Sequence, residues 1–360
     1  MRAFFTLPIL LVAAAPAFAE DPLVVLAADR TGRIMIFDAA LGEMGSIGVN
    51  QPVESVAASP DGRRLYIAQG GQRRPDACCD LYSLDLETKK MCPFAAPALF
   101  GTPSPDGRFL FTQGAHGVDV YDAATLIRLP TMKAPGAYNL QPSPDGRWLL
   151  GVTNSPKPSV DIFDMKARAM VRQLPIPAGP VTGAWAWDHF YVFSYSFAGV
   201  GQLWSVKPDN SELPPAKQIA LPDLHGACHE PVLLMLVGAP DRLFLAEAFG
   251  FKVDRRLACP DAAHGGVYVI QPSTGRVGPI APWLRAKRMV VTPDGGDLYV
   301  IHSSDPNPLA NPVLLHIDTR TGNVRSNTAL EDGDWNLALA HVPPSLIPHG
   351  NVRAAVSCPR

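Results

Sequence analysis

One turn phrase recurs four times in this chain and limits the folds that are open to it. The stretch SPDGRFLFTQG begins at Ser104, and close copies begin at Ser59, Ser143 and Thr292. Proline fixes φ, and the glycine after the aspartate is free to take a positive φ, so the phrase favours a tight turn. The aromatic and β-branched residues that follow favour a strand. Each copy therefore predicts a turn that leads into a strand.

A second phrase, an apolar strand that ends in a polar or glycine-containing turn, predicts the number of repeats. Its copies are 37 to 47 residues apart, except for one step of 64 residues that contains an insertion. Blades of four-stranded propellers repeat every 40 to 50 residues or so. Seven copies predict an all-β, seven-bladed β-propeller. The copies begin at Ile34, Leu81, Val118, Val160, Leu203, Val267 and Leu314.

The two ends of the repeat region predict how the ring closes. Only one strand, LVVLAA from Leu23, precedes the first copy, so blade one lacks its innermost strand. A surplus strand, WNLALAHV from Trp335 to Val342, follows the last copy. Placing that strand inside blade one pairs edges that would otherwise expose unpaired backbone groups. We therefore expect the C-terminal strand to complete blade one.

Composition favours a single all-β domain and argues against two classes of partner. The chain has 37 prolines and 30 glycines among short apolar strands, and 47% of its residues are hydrophobic. Such punctuation favours many short strands. The formal net charge is −2, and no long run of lysine or arginine is present. We therefore expect no surface for nucleic acid or for an anionic membrane.

The first nineteen residues resemble a secretory signal. A basic residue precedes an apolar stretch over residues 3–15, and Ala17-Phe18-Ala19 matches an A-x-A cleavage site. The stretch is short for a transmembrane span, although an uncleaved anchor is the alternative. The expected organisation is a signal peptide over 1–19, a propeller over 20–342 and a tail over 343–360 that packs on the propeller. The mature protein is expected in the periplasm.

Export makes the cysteines candidates for disulfide bonds. In a propeller, the turns after the first and third strands of each blade share one face, and the other connections share the opposite face. Cys228, before the first strand of blade six, and Cys259, in the long insertion of that blade, are therefore expected on the same face. We predict a disulfide between them.

The other cysteines leave two arrangements open. Cys92 follows a turn of blade two, and Cys358 lies on the tail that leaves blade one, so these two form one predicted pair. Cys78 and Cys79 would then remain as neighbours, and vicinal disulfides are rare because adjacent Cα atoms are too close. In the alternative arrangement, one of these two neighbours pairs with Cys92.

The sequence contains no motif for a phosphate loop, a nucleophile elbow, a zinc protease or covalent haem. We therefore predict no catalytic residue, no metal ion and no cofactor on this chain. The stretch LHGACHEP instead predicts a cluster on one rim of the ring. A proton-transfer or metal site is one interpretation, and a loop with solvated histidines is the alternative. The candidate residues for ligand or partner binding are His116, His225, His229, Glu230, His264, His302 and Asp305.

Three segments resemble the heavy chains of methylamine and aromatic amine dehydrogenases, with their YVTN-type propellers. GGQRRPDACCDLYSLDLETKK from Gly70 is similar to their second-blade insertion. TNSPKPSVDIFDMKARAMV from Thr153 is similar to a blade in the middle of their ring. The segment from Ala239 through PSTG at residues 272–275 is similar to their long sixth-blade insertion. The resemblance covers most of the chain loosely.

The resemblance implies a supporting role in periplasmic amine oxidation. In that family, a small cysteine-rich light chain carries a quinone made from its own tryptophans, and the heavy chain supports it in a heterotetramer. The expected function is therefore a propeller subunit of a quinone-dependent amine dehydrogenase. A stand-alone YVTN-type binding propeller is the alternative, and a lactonase-like enzyme is a third. Fold alone does not choose among them.

Overall fold

The computed structural model describes most of the chain from residue 21 onward, and it confirms a seven-bladed β-propeller. Among the described residues there is no α-helix, and one 3₁₀ turn spans Pro344–Leu346. The described ranges are 21–49, 51–74, 77–97, 100–114, 116–134, 139–153, 157–176, 181–186, 188–195, 201–209, 215–219, 233–248, 266–303, 311–331 and 335–356.

Each blade is an antiparallel sheet whose strands are named A to D from the channel outwards. In that order the strands are, for blade one, Trp335–His341, Leu23–Asp29, Arg33–Phe37, Glu43–Gly48; for blade two, Val53–Ala58, Arg64–Arg74, Ala77–Asp85, Lys90–Pro97; for blade three, Gly101–Pro103, Phe109–Gly114, Gly117–Asp122, Met132–Lys133; for blade four, Asn139–Pro142, Trp148–Thr153, Ser159–Asp164, Ala169–Pro175; for blade five, Val181–Ala186, His189–Tyr195, Gly201–Val206, Lys217–Ile219; for blade six, Leu233–Ala239, Arg242–Ala248, Val267–Gln271, Arg276–Ala281; and for blade seven, Ala286–Val291, Asp297–Ser303, Pro312–Asp318, Val324–Ala329.

The repeated turn phrase forms the A–B turn of blades two, three, four and seven. In blade two, the Ser59 hydroxyl donates to Asp61 Oδ1 at 2.5 Å and accepts the Arg64 N–H at 2.9 Å. Gly62 has a φ of 64°, as the turn requires, and its N–H donates to the Ser59 carbonyl at 2.9 Å. The side chain thus satisfies the backbone groups that the turn leaves unpaired.

The C-terminal strand closes the ring inside blade one, as predicted. Strand A, Trp335–His341, pairs antiparallel with strand B along its whole length, from Leu23 opposite His341 to Asp29 opposite Trp335. Trp335 is 1% exposed and packs in the core between blades seven and one. The closing strand therefore belongs to blade one and also supports the neighbouring blade.

The tail after the closing strand runs outwards across blades one and two. Leu346 and Ile347 are buried in the core between these two blades, and the Leu346 carbonyl accepts the Lys89 ammonium at 2.8 Å. The strand Gly350–Arg353 then pairs parallel with strand D of blade one, and Ala355–Val356 pairs parallel with strand D of blade two. Both blades thereby gain a fifth strand at their outer edges.

The ring has two faces with different connections. The A–B and C–D turns lie on one face, named here the turn face, and the B–C and D–A connections lie on the other, named the loop face. The inner strands surround a central channel, as in other propellers. The cores between blades are apolar, as in the cluster of Leu150, Ile162 and Trp204 between blades four and five.

Candidate functional site

The structure describes two of the seven predicted binding residues. His116 is exposed in the B–C turn of blade three, and His302 is partly buried near the end of strand B of blade seven. Both lie on the loop face, but on different blades, so the structure does not bring them together. The other five, His225, His229, Glu230, His264 and Asp305, lie outside the described residues, as do Cys228 and Cys259.

His302 is held at the loop-face mouth of the channel by the connection that enters blade seven. The Arg285 backbone N–H donates to His302 Nδ1 at 3.1 Å, which leaves the proton of a neutral imidazole on Nε2. The ring of Trp283 meets the imidazole edge-on, with 5.7 Å between centroids. Burial lowers the pKa of His302, and the nearby charges of Arg285 and Lys287 lower it further. The imidazole is therefore a neutral donor at neutral pH.

Two further cations stand beside His302 on strand A of blade seven. The pairing of this strand with strand B shifts register between Ala286 and Arg288, so the strand backbone is irregular at Lys287 and Arg288. The Arg288 Nε donates to Asn336 Oδ1 at 3.0 Å, and its Nη1 donates to the Lys287 carbonyl at 2.8 Å. Both acceptors are uncharged, so these contacts orient the guanidinium without neutralising it.

Carboxylates pair with two neighbouring arginines of blade one. Arg33 lies 2.9 Å from Glu331 and stacks over the Trp335 ring at 5.8 Å, and Arg30 lies 3.1 Å from Glu54. Blade seven contributes three basic side chains and no acidic one within the described residues 282–288 and 300–303. We name the group Trp283, Arg285, Lys287, Arg288 and His302 the basic mouth.

The net charge of −2 conceals a local excess of cations at the basic mouth. Sequence reasoning identified His302 but missed Trp283 and the three basic residues around it. The signal is present in PWLRAKR, in which three of the last four residues are basic. The turn phrase that follows a few residues later marks this stretch as the inner strand of blade seven.

The basic mouth suits the binding of an oxyanion. Arginine and lysine supply charged donors, and the neutral imidazole supplies an N–H. In the part of the chain that the structure describes, no group of three or more His, Cys, Asp or Glu residues is placed to hold a metal ion.

Two large apolar side chains stand out on the loop face. Phe100, in the connection between blades two and three, is 47% exposed, and Trp283, in the connection between blades six and seven, is 53% exposed. Exposed aromatic side chains beside arginines are a composition typical of protein interfaces. The loop face thus carries both a charged and an apolar feature suited to binding.

Cys92 is disulfide-bonded. Strand pairing places Cys92 opposite Ser83, four residues from Cys79, which corresponds to about 13 Å along a strand. The alternative, in which Cys78 or Cys79 pairs with Cys92, stays open. The tail strand places Val356 beside Met91, the residue before Cys92. The pairing of Cys92 with Cys358 stays a prediction.

No family model matches the sequence, and no curated protein matches it. Solved structures do match its fold. The periplasmic gluconolactonase PpgL of Pseudomonas aeruginosa is 16% identical, with a TM-score of 0.59 over 89% of this chain and 100% of that chain. Kuenenia stuttgartiensis hydrazine synthase is 15% identical, with a TM-score of 0.54 over 84% and 90%. AztD from Citrobacter koseri is 12% identical, with a TM-score of 0.52 over 87% and 82%.

These similarities establish the class of protein as a β-propeller and carry the argument no further, because identities this low show the fold alone. None of the three structures is an amine dehydrogenase heavy chain. Among the described residues, no helix is long and apolar enough to cross a membrane.

Proposed function

We propose that this chain is a periplasmic propeller subunit that docks a small light chain on its loop face, in a complex of the quinone-dependent amine dehydrogenase type. The observation that carries the proposal is the pair of half-exposed aromatic side chains, Phe100 and Trp283, on the face that also bears the basic mouth. Aromatic side chains are enriched among the residues that dominate the binding energy of protein interfaces. The resemblance of three segments to amine dehydrogenase heavy chains indicates the kind of partner, a small light chain.

In this proposal the chain is a scaffold. The light chain carries the tryptophan-derived quinone, which would accept electrons from the amine, and no described residue of this chain is assigned to hold that group. The signal peptide over residues 1–19 directs the chain to the periplasm, where disulfides form. Two copies of each chain would make the heterotetramer that the resemblance implies.

Purification from the native source under mild salt tests the proposal. We expect a short cysteine-rich chain to co-purify and to bring visible quinone absorption. Phe100→Ala and Trp283→Ala should each reduce recovery of that chain about tenfold or more, as interface aromatics do. Ile127→Ala is the matched control, because Ile127 is 61% exposed but lies in a C–D connection on the turn face. A colourless monomer would reject the light-chain proposal.

The basic mouth favours a second candidate, a stand-alone propeller that binds an anionic ligand. Its three cations and neutral imidazole need no partner chain to bind a small oxyanion. In that case the purified protein is colourless and monomeric, and its ligand affinity falls with salt. Arg288→Gln should weaken binding, while Arg276→Gln, an exposed change on the outer strand of blade six, should not.

A further inference from the structure

A cavity lies between blades five and six, away from the loop face. Its volume is about 360 Å³, at the small end of the range for ligand pockets. The C–D turn of blade six closes one side, so the cavity opens near the turn face. The residues around it are His189, Tyr191, Leu203, Ser205, Lys207, Pro215, Lys217, Pro272 and Ser273.

One wall of this inter-blade pocket is flat and largely apolar. The rings of His189 and Tyr191 lie nearly parallel, with 6.0 Å between centroids and 30° between planes. His189 is oriented by Asp188, whose Oδ1 lies 2.6 Å from His189 Nδ1. Leu203 and Pro272 are buried and add apolar surface. Such a wall fits the face of a flat, ring-shaped molecule.

Apart from Pro215, the remaining groups are polar, and two of them are cations. The Lys217 ammonium donates to the carbonyls of Pro272 and Ser273 at 2.8 Å each, which holds the lysine across the boundary between the blades. An ammonium has three donors, so one is left for a ligand. Ser205 hydrogen bonds to Tyr191, and burial is the main reason why the pKa of Tyr191 is raised, so its hydroxyl stays protonated.

Lys207 occupies a position that other blades give to an aspartate. At the end of strand C, Asp38, Asp85, Asp122, Asp164 and Asp318 each accept backbone N–H groups of the following turn at Oδ1. Blade five has Lys207 there, and blade six has Gln271. Blade five has therefore lost a turn-stabilising carboxylate and gained a cation at the edge of a cavity.

We propose that the inter-blade pocket binds a small ring-bearing carboxylate, with its ring on the His189 and Tyr191 wall and its carboxylate between Lys207 and Lys217. The described lining residues include two lysines and no acidic side chain, so an anionic end is favoured over a neutral or cationic one. The size of the cavity admits a single ring with its carboxylate. This site is separate from the loop-face site, and the two proposals are tested independently.

Calorimetric titration of the full mature chain with benzoate tests the proposal. Benzoate should bind, and benzamide, which has the same shape without the charge, should bind about tenfold more weakly or worse, as expected for a charge-assisted contact. Lys207→Asp should abolish benzoate binding. Lys133→Asp is the matched control: it makes the same charge change at an exposed residue on the outer strand of blade three, and it should leave the affinity unchanged.

Other outcomes overturn the proposal. These are no binding of benzoate, equal binding of benzamide, equal weakening in both aspartate variants, or binding of inorganic phosphate in place of benzoate. Ser205→Leu supplies a second test that does not depend on charge, because it fills the cavity; it should block benzoate while leaving the melting temperature near that of the unaltered protein.

Discussion

Two clefts of the ring can be compared, the one between blades seven and one and the one between blades five and six. Each has a tyrosine at the same position of strand B, but the two hydroxyl groups bind different partners. Tyr299 of blade seven and Tyr191 of blade five occupy the same place on strand B. The Tyr299 hydroxyl reaches across to the Ala39 carbonyl of blade one at 2.9 Å, whereas the Tyr191 hydroxyl stays within blade five, on Ser205. One tyrosine joins two blades, and the other lines a cavity.

The neighbours of the two tyrosines account for the difference. In blade seven, His316 stacks on Tyr299 at 4.8 Å and bonds to Asp297 Oδ1 at 2.9 Å, while Arg325 bridges Asp297 and Asp318. This network of both signs of charge fills the cleft. The equivalents in blade five are small or cationic: Ser205 replaces the imidazole, and a lysine replaces the carboxylate. The cleft that closes the ring is sealed, and the one farther around it is left open to a ligand.

The largest expected effect comes from removing the closing strand. Truncation after Leu330 takes away Trp335–His341 and the tail, which exposes strand B of blade one and removes the tryptophan from the core between blades seven and one. We expect aggregation or the loss of cooperative unfolding, seen by chromatography and urea denaturation. Truncation after Val342 keeps the closing strand and should unfold cooperatively at a lower midpoint. A monomeric, cooperative Leu330 truncation would contradict the role of this strand.

The next effect contrasts two glycines at the same turn position. A Cβ on Gly62 would lie 1.5 Å from the carbonyl oxygen of His341 in the closing strand, whereas a Cβ on Gly146 meets nothing within 4 Å. Both have positive φ, which costs about 1–2 kcal/mol for alanine. Gly146→Ala should cost about that much, and Gly62→Ala about 1–3 kcal/mol more, because backbone must move. Equal midpoints in urea would show that the closing strand does not press on blade two.

A smaller effect should separate the two tyrosines. Burial raises the pKa of Tyr299 to about 12, consistent with a hydroxyl that is kept as a donor to the next blade. Tyr299→Phe leaves the Ala39 carbonyl without that donor and should cost about 1–2 kcal/mol. Tyr191→Phe, beside the open pocket, should cost about 0.5 kcal/mol or less. The reverse order in chemical denaturation would contradict the comparison between the clefts.

The smallest effect is the pH dependence that Asp318 contributes in the cleft between blades seven and one. Hydrogen bonds from Arg325 hold the pKa of Asp318 well below its usual range. A carboxyl whose pKa is lower in the folded state stabilises the fold at any pH above its unfolded pKa. That contribution is lost as the pH falls from the unfolded pKa through the folded pKa. Asp318→Asn should therefore be less stable than the unaltered protein at pH 7, and the difference should shrink below about pH 4.

Lys133→Gln, an exposed change on the outer strand of blade three, supplies the control for that measurement. It adds and removes no carboxyl, so its difference from the unaltered protein should stay constant between pH 7 and pH 3. A stability difference for Asp318→Asn that stays equally constant would show that this carboxylate does not couple protonation to folding.

The repeat pattern was enough to predict the ring. Turn phrases such as the one at Ser104 act locally, through a proline, an aspartate and a glycine, so their structure follows from neighbours in sequence. The closing strand from Trp335 was predictable for a related reason, because an odd strand at each end of a repeat array leaves edges that must pair. The repeat period and the need to pair edge strands are properties of short segments, so both can be recognised in a single sequence.

The sites were less predictable, because they depend on which blades meet. His302 could be identified in the sequence, but its basic surroundings could not, since nothing local places Arg285, Lys287 and Arg288 beside it. The inter-blade pocket was missed entirely. Its Lys217 is held by carbonyls of blade six more than fifty residues away, and its Lys207 acquires meaning only when the equivalent aspartates of other blades are aligned. The sequence alone determined the blades and their closure, because turns and strand pairing are local; the tertiary structure decided which clefts are filled, because filling depends on side chains that only the ring brings together.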